Sequence, residues 1–264
     1  MARKDATLEL DRPDGDPEAE NTPRPCLILP LGRGKTGKST FVRWAAERAI
    51  QRGGTPVIAD ADRTNATLSA FFENVARPDT PEDDDMRSWL NAFVDRQIEE
   101  RFSAFLDLGG GDLILKTWAR DLDLAAFLDG YGIDPVALHF ISSDRDDLTY
   151  LRDIELVTKF QPQRMAIVLN EGMVPPGRTA RTAFAPILEH EVFKAAVARG
   201  ARVIRMPRLA PMYEIEHRRL SFTNAEAGAV KPGQDKIGPV NRQLISIWRK
   251  EMEASFAPIL PWLP

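Results

Sequence analysis

Residues 32–39 read GRGKTGKS, directly after the apolar run 26–29 and directly before a helical pattern over 39–52. A glycine-rich turn between a strand and a helix is the setting in which the Walker A pattern, G-x-x-x-x-G-K-[ST], cradles phosphate. Gly32, Gly34 and Gly37 let successive backbone N–H groups turn inward onto phosphate oxygens, while the following helix presents its positive N-terminus. Lys38 brings the charge that neutralises β and γ phosphates. Ser39 brings a hydroxyl to a phosphate-bound Mg²⁺, an ion that takes few protein ligands. Lys35, Thr36 and Thr40 complete the stretch expected to touch the nucleotide.

Two more segments place carboxylates where such a loop needs them. The short strand pattern 56–59 runs into Asp60 and Asp62, and the strand pattern of AFLDLGGGD, 104–112, delivers Asp107 ahead of three glycines. Strand carboxyl ends face the ligand in an open α/β sheet, so these aspartates approach Mg²⁺ or orient the attacking water. The plain alternatives are helix caps for Asp60 and Asp62, and an ordinary strand ending in a glycine turn for Asp107.

The remaining pattern alternates. Strands are expected over 135–141, 165–170 and 202–206, and helices over 88–101, 113–128, 142–159, 181–199 and 241–256. In the last helix Leu244, Ile247, Trp248 and Met252 recur at helical spacing. This order predicts an α/β fold, a mainly parallel sheet with helices on both faces, in P-loop NTPase architecture. Residues 77–87, RPDTPEDDDMR, read as an exposed loop, and 228–239 as irregular.

Residues 1–24 are expected to be a disordered acidic tail, 25–258 a single ATPase domain, and 259–264 an apolar, proline-rich end. Three prolines in 256–264 argue against a membrane-binding helix there, leaving the end to pack on the domain or on a partner. No apolar run approaches a membrane span and no leader pattern opens the chain, so a cytoplasmic location is expected. Cys26 is the sole cysteine, which excludes an internal disulfide and a cysteine-cluster metal site, and it reads as a buried residue of the first strand. The net charge of −4 is unevenly spread: residues 1–160 carry 20 Lys and Arg against 30 Asp and Glu, residues 161–264 carry 15 against 9. A basic half of this kind is either a solvated mixed surface or the footprint of phosphate-backbone binding.

The loop resembles the deviant Walker A of the ParA/MinD family of dimerising ATPases, usually Gly-Lys-Gly-Gly-x-Gly-Lys-Ser/Thr. Arg33 stands at the signature lysine, and Lys35 replaces the third glycine. The resemblance implies that Arg33, or Lys35 in its place, reaches across a nucleotide-sandwich dimer to the partner's phosphates. The stretch from Asp60 looks like the family's Asp-x-Asp-Pro-Gln-x-Asn switch. Asp62 takes the position associated with hydrolysis, Arg63 and Thr64 replace Pro-Gln, and Asn65 matches only if one residue is omitted. The Asp107 segment resembles a Walker B and switch II, where the family more often has Asp-Thr/Ser-Pro-Pro.

By the same resemblance Asn170 contacts adenine, the alternative being a turn asparagine, and Pro207 opens a loop beside the base. Asn170 is followed by Glu171, Gly172 and Met173, so no guanine-specific Asn-Lys-x-Asp motif occurs, which favours ATP. The implied activity is Mg²⁺-dependent ATP hydrolysis in a dimerising switch, with Lys38, Arg33 and Asp62 catalytic and Ser39, Asp62 and Asp107 around the metal. The implied work is partition or transfer of DNA, or positioning of another cargo. Implied partners are a second copy, non-specific DNA on the nucleoid, and a protein that stimulates hydrolysis. Two other readings stay open: a metabolic ligase like dethiobiotin synthetase or the cobyrinate amidases, and a nucleotide-controlled protein adaptor that never binds DNA.

Overall fold

The computed structural model describes residues 24–62, 67–109 and 113–264, without the side chains of Leu113 and Leu115. The expected acidic tail up to residue 23, Arg63, Thr64, Asn65 and residues 110–112 of the glycine turn therefore lie outside the described residues. Among the described residues six strands form one parallel sheet in the order β2-β3-β1-β4-β5-β6. They are β1 (Cys26–Leu31), β2 (Val57–Ala61), β3 (Ala104–Leu108), β4 (Asp134–Ile141), β5 (Arg164–Asn170) and β6 (Arg202–Met206). The connecting helices are α1 (Lys38–Gln51), α2 (Asp83–Glu100), α3 (Leu113–Leu122), α4 (Leu124–Gly130), α5 (Asp146–Val157), α6 (Ala180–Leu188), α7 (Glu191–Ala198), α8 (Met212–Arg218), α9 (Phe222–Ala227) and α10 (Pro239–Phe256).

Every residue of β1, β3 and β4 is buried, as expected for parallel strands covered on both faces. Leu27, Leu29 and Leu31 of β1 face the core under α2 to α7, while Cys26 and Ile28 face the core under α1, α8, α9 and α10. The fold is the expected one: a P-loop NTPase α/β sheet with helices on both faces, its strand carboxyl ends along one edge.

Several boundaries differ from the sequence reading, each for a local reason. The acidic run taken as loop starts α2 at Asp83, where three aspartates in the first turn meet the positive helix end. The helix expected over 113–128 breaks at Asp123, whose φ is 47°, giving α3 and α4. The helix over 181–199 divides into α6 and α7, with His190 Nδ1 accepting the Val192 N–H at 3.2 Å as a new N-cap. Helices α8 and α9 occupy a stretch with no helical expectation. In α10 the buried stripe is Ile245, Trp248, Met252 and Phe256, so Leu244 and Ile247 lie at its outer face, 39 % and 42 % exposed. The proline-rich end turns back as a 3₁₀ segment, Ala257–Trp262, with Ile259 buried in the core beside α1. Among the described residues no helix is long and apolar enough to cross a membrane.

His139 of β4 lies opposite Leu31 and Ile167, fully buried, with no hydrogen-bond partner for either ring nitrogen among the described residues. Burial, with the Arg199 charge adding to it, pushes its pKa down to about 4. The unfolded ring protonates near 6.5 while the folded ring stays neutral, so its stabilising contribution is complete above pH 6.5 and is lost as pH falls towards 4. His139→Met should therefore flatten the acid limb of the stability profile. Relative to wild type, urea unfolding should show a gain that grows as pH falls through this window, towards about 3 kcal/mol. A variant-to-wild-type difference that stays constant from neutral pH to pH 4.5 would refute this.

Candidate nucleotide site

The loop is held closed by its own side chains. After β1 the chain turns at Gly32, where a Cβ would sit 2.7 Å from the Phe140 carbonyl oxygen and 2.9 Å from Thr36 Oγ1. Lys35 has φ 65° and Gly37, the residue before α1, has φ 101°. Lys38 Nζ donates to the carbonyls of Gly32 and Arg33, both at 3.1 Å, and Thr36 Oγ1 donates to Arg33 O at 2.9 Å. Burial lowers the Lys38 pKa, against the opposing pull of Asp107, Asp62 and Asp147. Asn170, at the end of β5, braces the loop from below: its Nδ2 donates to Thr36 O at 2.8 Å, and its Oδ1 accepts the Gly172 N–H at 2.9 Å.

The carboxylates come from the neighbouring strands. Asp60 and Asp107 are register partners across β2 and β3. Ser39 Oγ donates to Asp107 Oδ2 at 2.6 Å, so the first turn of α1 is tied to the end of β3. Burial raises the Asp107 pKa to about 6; the Ser39 hydrogen bond and Lys38 oppose the shift, and Asp60 and Asp62 reinforce it. Asp60 is also raised by burial, and its oxygens accept main-chain N–H groups from Asp62 and Leu68. Asp62 packs beside Gly109, where a Cβ would lie 3.2 Å from Asp62 Oδ1.

Ser39, Asp107 and Asp62 offer hard oxygen donors, the chemistry that suits Mg²⁺. Among the described residues no group of three or more His, Cys, Asp or Glu forms a metal cage. Mg²⁺ does not require one, because it keeps several waters and accepts substrate phosphate oxygens.

A cavity of about 870 Å³ opens over the loop. Of the residues singled out from the sequence, Gly34, Lys35, Gly37, Lys38, Ser39, Thr40, Asp62, Asn170 and Pro207 line it. Asp107 sits beneath Ser39, and Gly32 and Thr36 support the loop from behind. The far wall is Met206 to Ala210 with Met212, Glu216 and Trp248, and Trp248 Nε1 donates to Pro207 O at 2.9 Å. The sequence reading included Pro207 but missed the wall from α8 and α10, whose residues carry no motif.

Arg33 points elsewhere. Its Nη1 lies 2.9 Å from Asp144 Oδ2 and 3.7 Å from carboxylate oxygens of Asp146 and Asp147, at the start of α5. The hydrogen bond to Asp144 raises its pKa further. Asp147 is itself set by the Ser142 N–H and hydroxyl, at 2.7 and 2.6 Å. Nothing in the sequence signalled this pairing, which joins residues 111 positions apart.

No protein-family model and no curated protein matches the chain. Among solved structures it is similar to chloroplast FtsY from Physcomitrella patens, at 17 % identity and a TM-score of 0.46, over 70 % of this chain and 59 % of that one. It is similar to cell division protein FtsY from Thermotoga maritima at 13 % identity and a TM-score of 0.46, covering 85 % and 68 % of the two chains. For the MinC:MinD cell division protein complex of Aquifex aeolicus the values are 10 %, 0.48, 86 % and 96 %. This chain thus spans less than two thirds of the moss FtsY chain. The P-loop NTPase architecture rests on the strand order and the loop geometry themselves.

Gly37 is constrained twice, because a Cβ there would collide with Asn170 Nδ2 and its φ is positive. Gly37→Ala should weaken binding of a fluorescent ATP analogue by about tenfold or more, equivalent to about 1.4 kcal/mol. Combining it with Asn170→Ala should lose less than the sum of the two single changes, since the second removes the colliding group. Losses that add would show that the contact does not shape the loop.

Proposed function

We propose that this chain is a Mg²⁺- and ATP-dependent dimerising ATPase switch of the ParA type, serving partition or transfer of DNA or positioning of another large cargo. The observation that carries the reading is the cradle itself. A buried Lys38 is folded onto its own loop, and the Ser39–Asp107 pair lies at the floor of a cavity of about 870 Å³. Lys38 neutralises phosphate charge, and the loop N–H groups and the start of α1 receive the phosphate oxygens. Ser39, Asp107 and Asp62 would hold Mg²⁺, which when bound withdraws charge from the β and γ phosphates. Asp62, lining the cavity beside Gly109, orients the attacking water.

Dimerisation is supported by Arg33, a cation at the rim of the loop that faces away from its own cavity. Freed from Asp144, its planar head suits the phosphates of a second copy. DNA binding is supported by exposed Arg178, Arg181 and Arg202 on the β5–β6 side of the sheet, none of which makes an ion pair among the described residues. The base is read as adenine, in the pocket between Asn170 and Pro207. A single ATPase domain over 25–258, a cytoplasmic setting on the nucleoid and a protein that stimulates hydrolysis belong to the same reading.

Sedimentation with ADP, with ATP and with ATP plus duplex DNA tests it, using Asp62→Ala to slow turnover. The expected outcome is a monomer with ADP, a dimer with ATP, and DNA binding only by the dimer. That affinity should fall by about tenfold or more between 50 and 200 mM salt. Lys38→Ala should abolish the ATP-dependent dimer and its DNA binding. A nucleotide-loaded protein that stays monomeric and ignores DNA would sink the proposal.

A further inference from the structure

Asp60 and Asp62 leave β2 together, yet only Asp62 lines the cavity. Asp60 is buried, and both its oxygens are turned onto main chain: Oδ1 accepts the Asp62 N–H at 3.2 Å and Oδ2 accepts the Leu68 N–H at 3.1 Å. Those two N–H groups stand on either side of the connection leaving β2. Leu68 is fully buried in the core beneath α1, so the far end of the connection is anchored as well. One carboxylate therefore ties a core-anchored residue to the residue that enters the cavity.

We infer that Asp60 is a positioning residue: it sets the place of Asp62 and does not hold the metal. A carboxylate suits the task because it accepts at both oxygens and has no proton to misdirect. Alanine removes both bonds. Asparagine keeps one acceptor and turns an N–H₂ group towards the other N–H. The inference rests on the ATPase reading, since hydrolysis is what reports the position of Asp62.

The test uses the full chain and four variants: Asp60→Asn, Asp60→Ala, Asp62→Ala and the double Asp60→Ala/Asp62→Ala. For each, the affinity for a fluorescent ATP analogue, the Mg²⁺ concentration giving half-maximal hydrolysis and kcat are measured. A positioning role predicts that Asp60→Ala lowers kcat by about tenfold or more, with nucleotide affinity within about twofold of wild type and a Mg²⁺ midpoint raised no further than in Asp62→Ala. Asp60→Asn should lose less than Asp60→Ala. On the Asp62→Ala background Asp60→Ala should cause no further loss, because it acts through Asp62.

A Mg²⁺ midpoint raised about tenfold further when Asp60→Ala is added to Asp62→Ala would make Asp60 a metal ligand and overturn the inference. So would unchanged kcat, or a further fall in the double variant. If Asp60→Ala does not fold, Asp60→Asn, alone and on the Asp62→Ala background, decides between the same outcomes. Failure of the ATPase reading itself is seen separately, as absent ATP binding and hydrolysis in the wild-type chain.

Discussion

A buried ammonium and a buried carboxylate sit at the same edge of the sheet, and much of the local architecture follows from satisfying them. Removing either charge from water is worth several kcal/mol of penalty unless it is hydrogen-bonded. Lys38 is satisfied by two carbonyls of the loop that precedes it, so the loop has to wrap around the lysine head. That wrap brings Gly32 against the Phe140 carbonyl and Gly37 against Asn170, positions where a side chain does not fit. Asp107 is satisfied by Ser39, the residue after Lys38, so α1 is locked to β3 through adjacent residues.

The other side of α1 holds that arrangement from behind. Phe105 and Asp107 alternate onto the same face of β3, so one packs on α1 while the other bonds to it. Phe41 lies 6.4 Å from Phe105, 5.4 Å from Phe140 and 5.2 Å from Phe256, measured between ring centroids, and Trp44 also packs on Phe256. Phe256 closes α10, and the same helix sends Trp248 to the Pro207 carbonyl at the cavity wall. The aromatic cluster that fixes the start of the loop helix thus also fixes the far wall of the cavity over the loop.

The parts of this site legible in the sequence were those whose chemistry depends on short spacing. The cradle from Gly32 to Ser39 is a local motif, and Asp107 was recognisable because an apolar strand delivers it to a glycine turn. What escaped depends on contacts between distant segments or on the phase of a helix. Asp144, Asp146 and Asp147 looked like the acidic start of a helix, which they are, and nothing local marked them as the partners of Arg33. Helices α8 and α9 are seven and six residues long, too short to show a period. In α10 Leu244, Ile245, Ile247 and Trp248 offer two overlapping apolar stripes, and only packing against Phe222 and the tail selects Ile245 and Trp248 for the core.

On the proposed function, charge at the strand ends would make this edge suit a metal–phosphate complex better than either component alone. Asp107 is pushed up to about 6 by burial, with Asp60 and Asp62 adding repulsion. Lys38 opposes that shift without pairing: it is turned to the loop carbonyls, and no ion pair within 4.0 Å joins it to Asp107. Its donors are thereby held by the loop, and the repulsion among the carboxylates is left without an ion pair from Lys38. A phosphate brought alone meets the aspartates as like charges, and a cation brought alone meets the lysine. On the proposed function each would reduce the electrostatic penalty of the other, so binding of the two would be coupled through residues already placed by the fold.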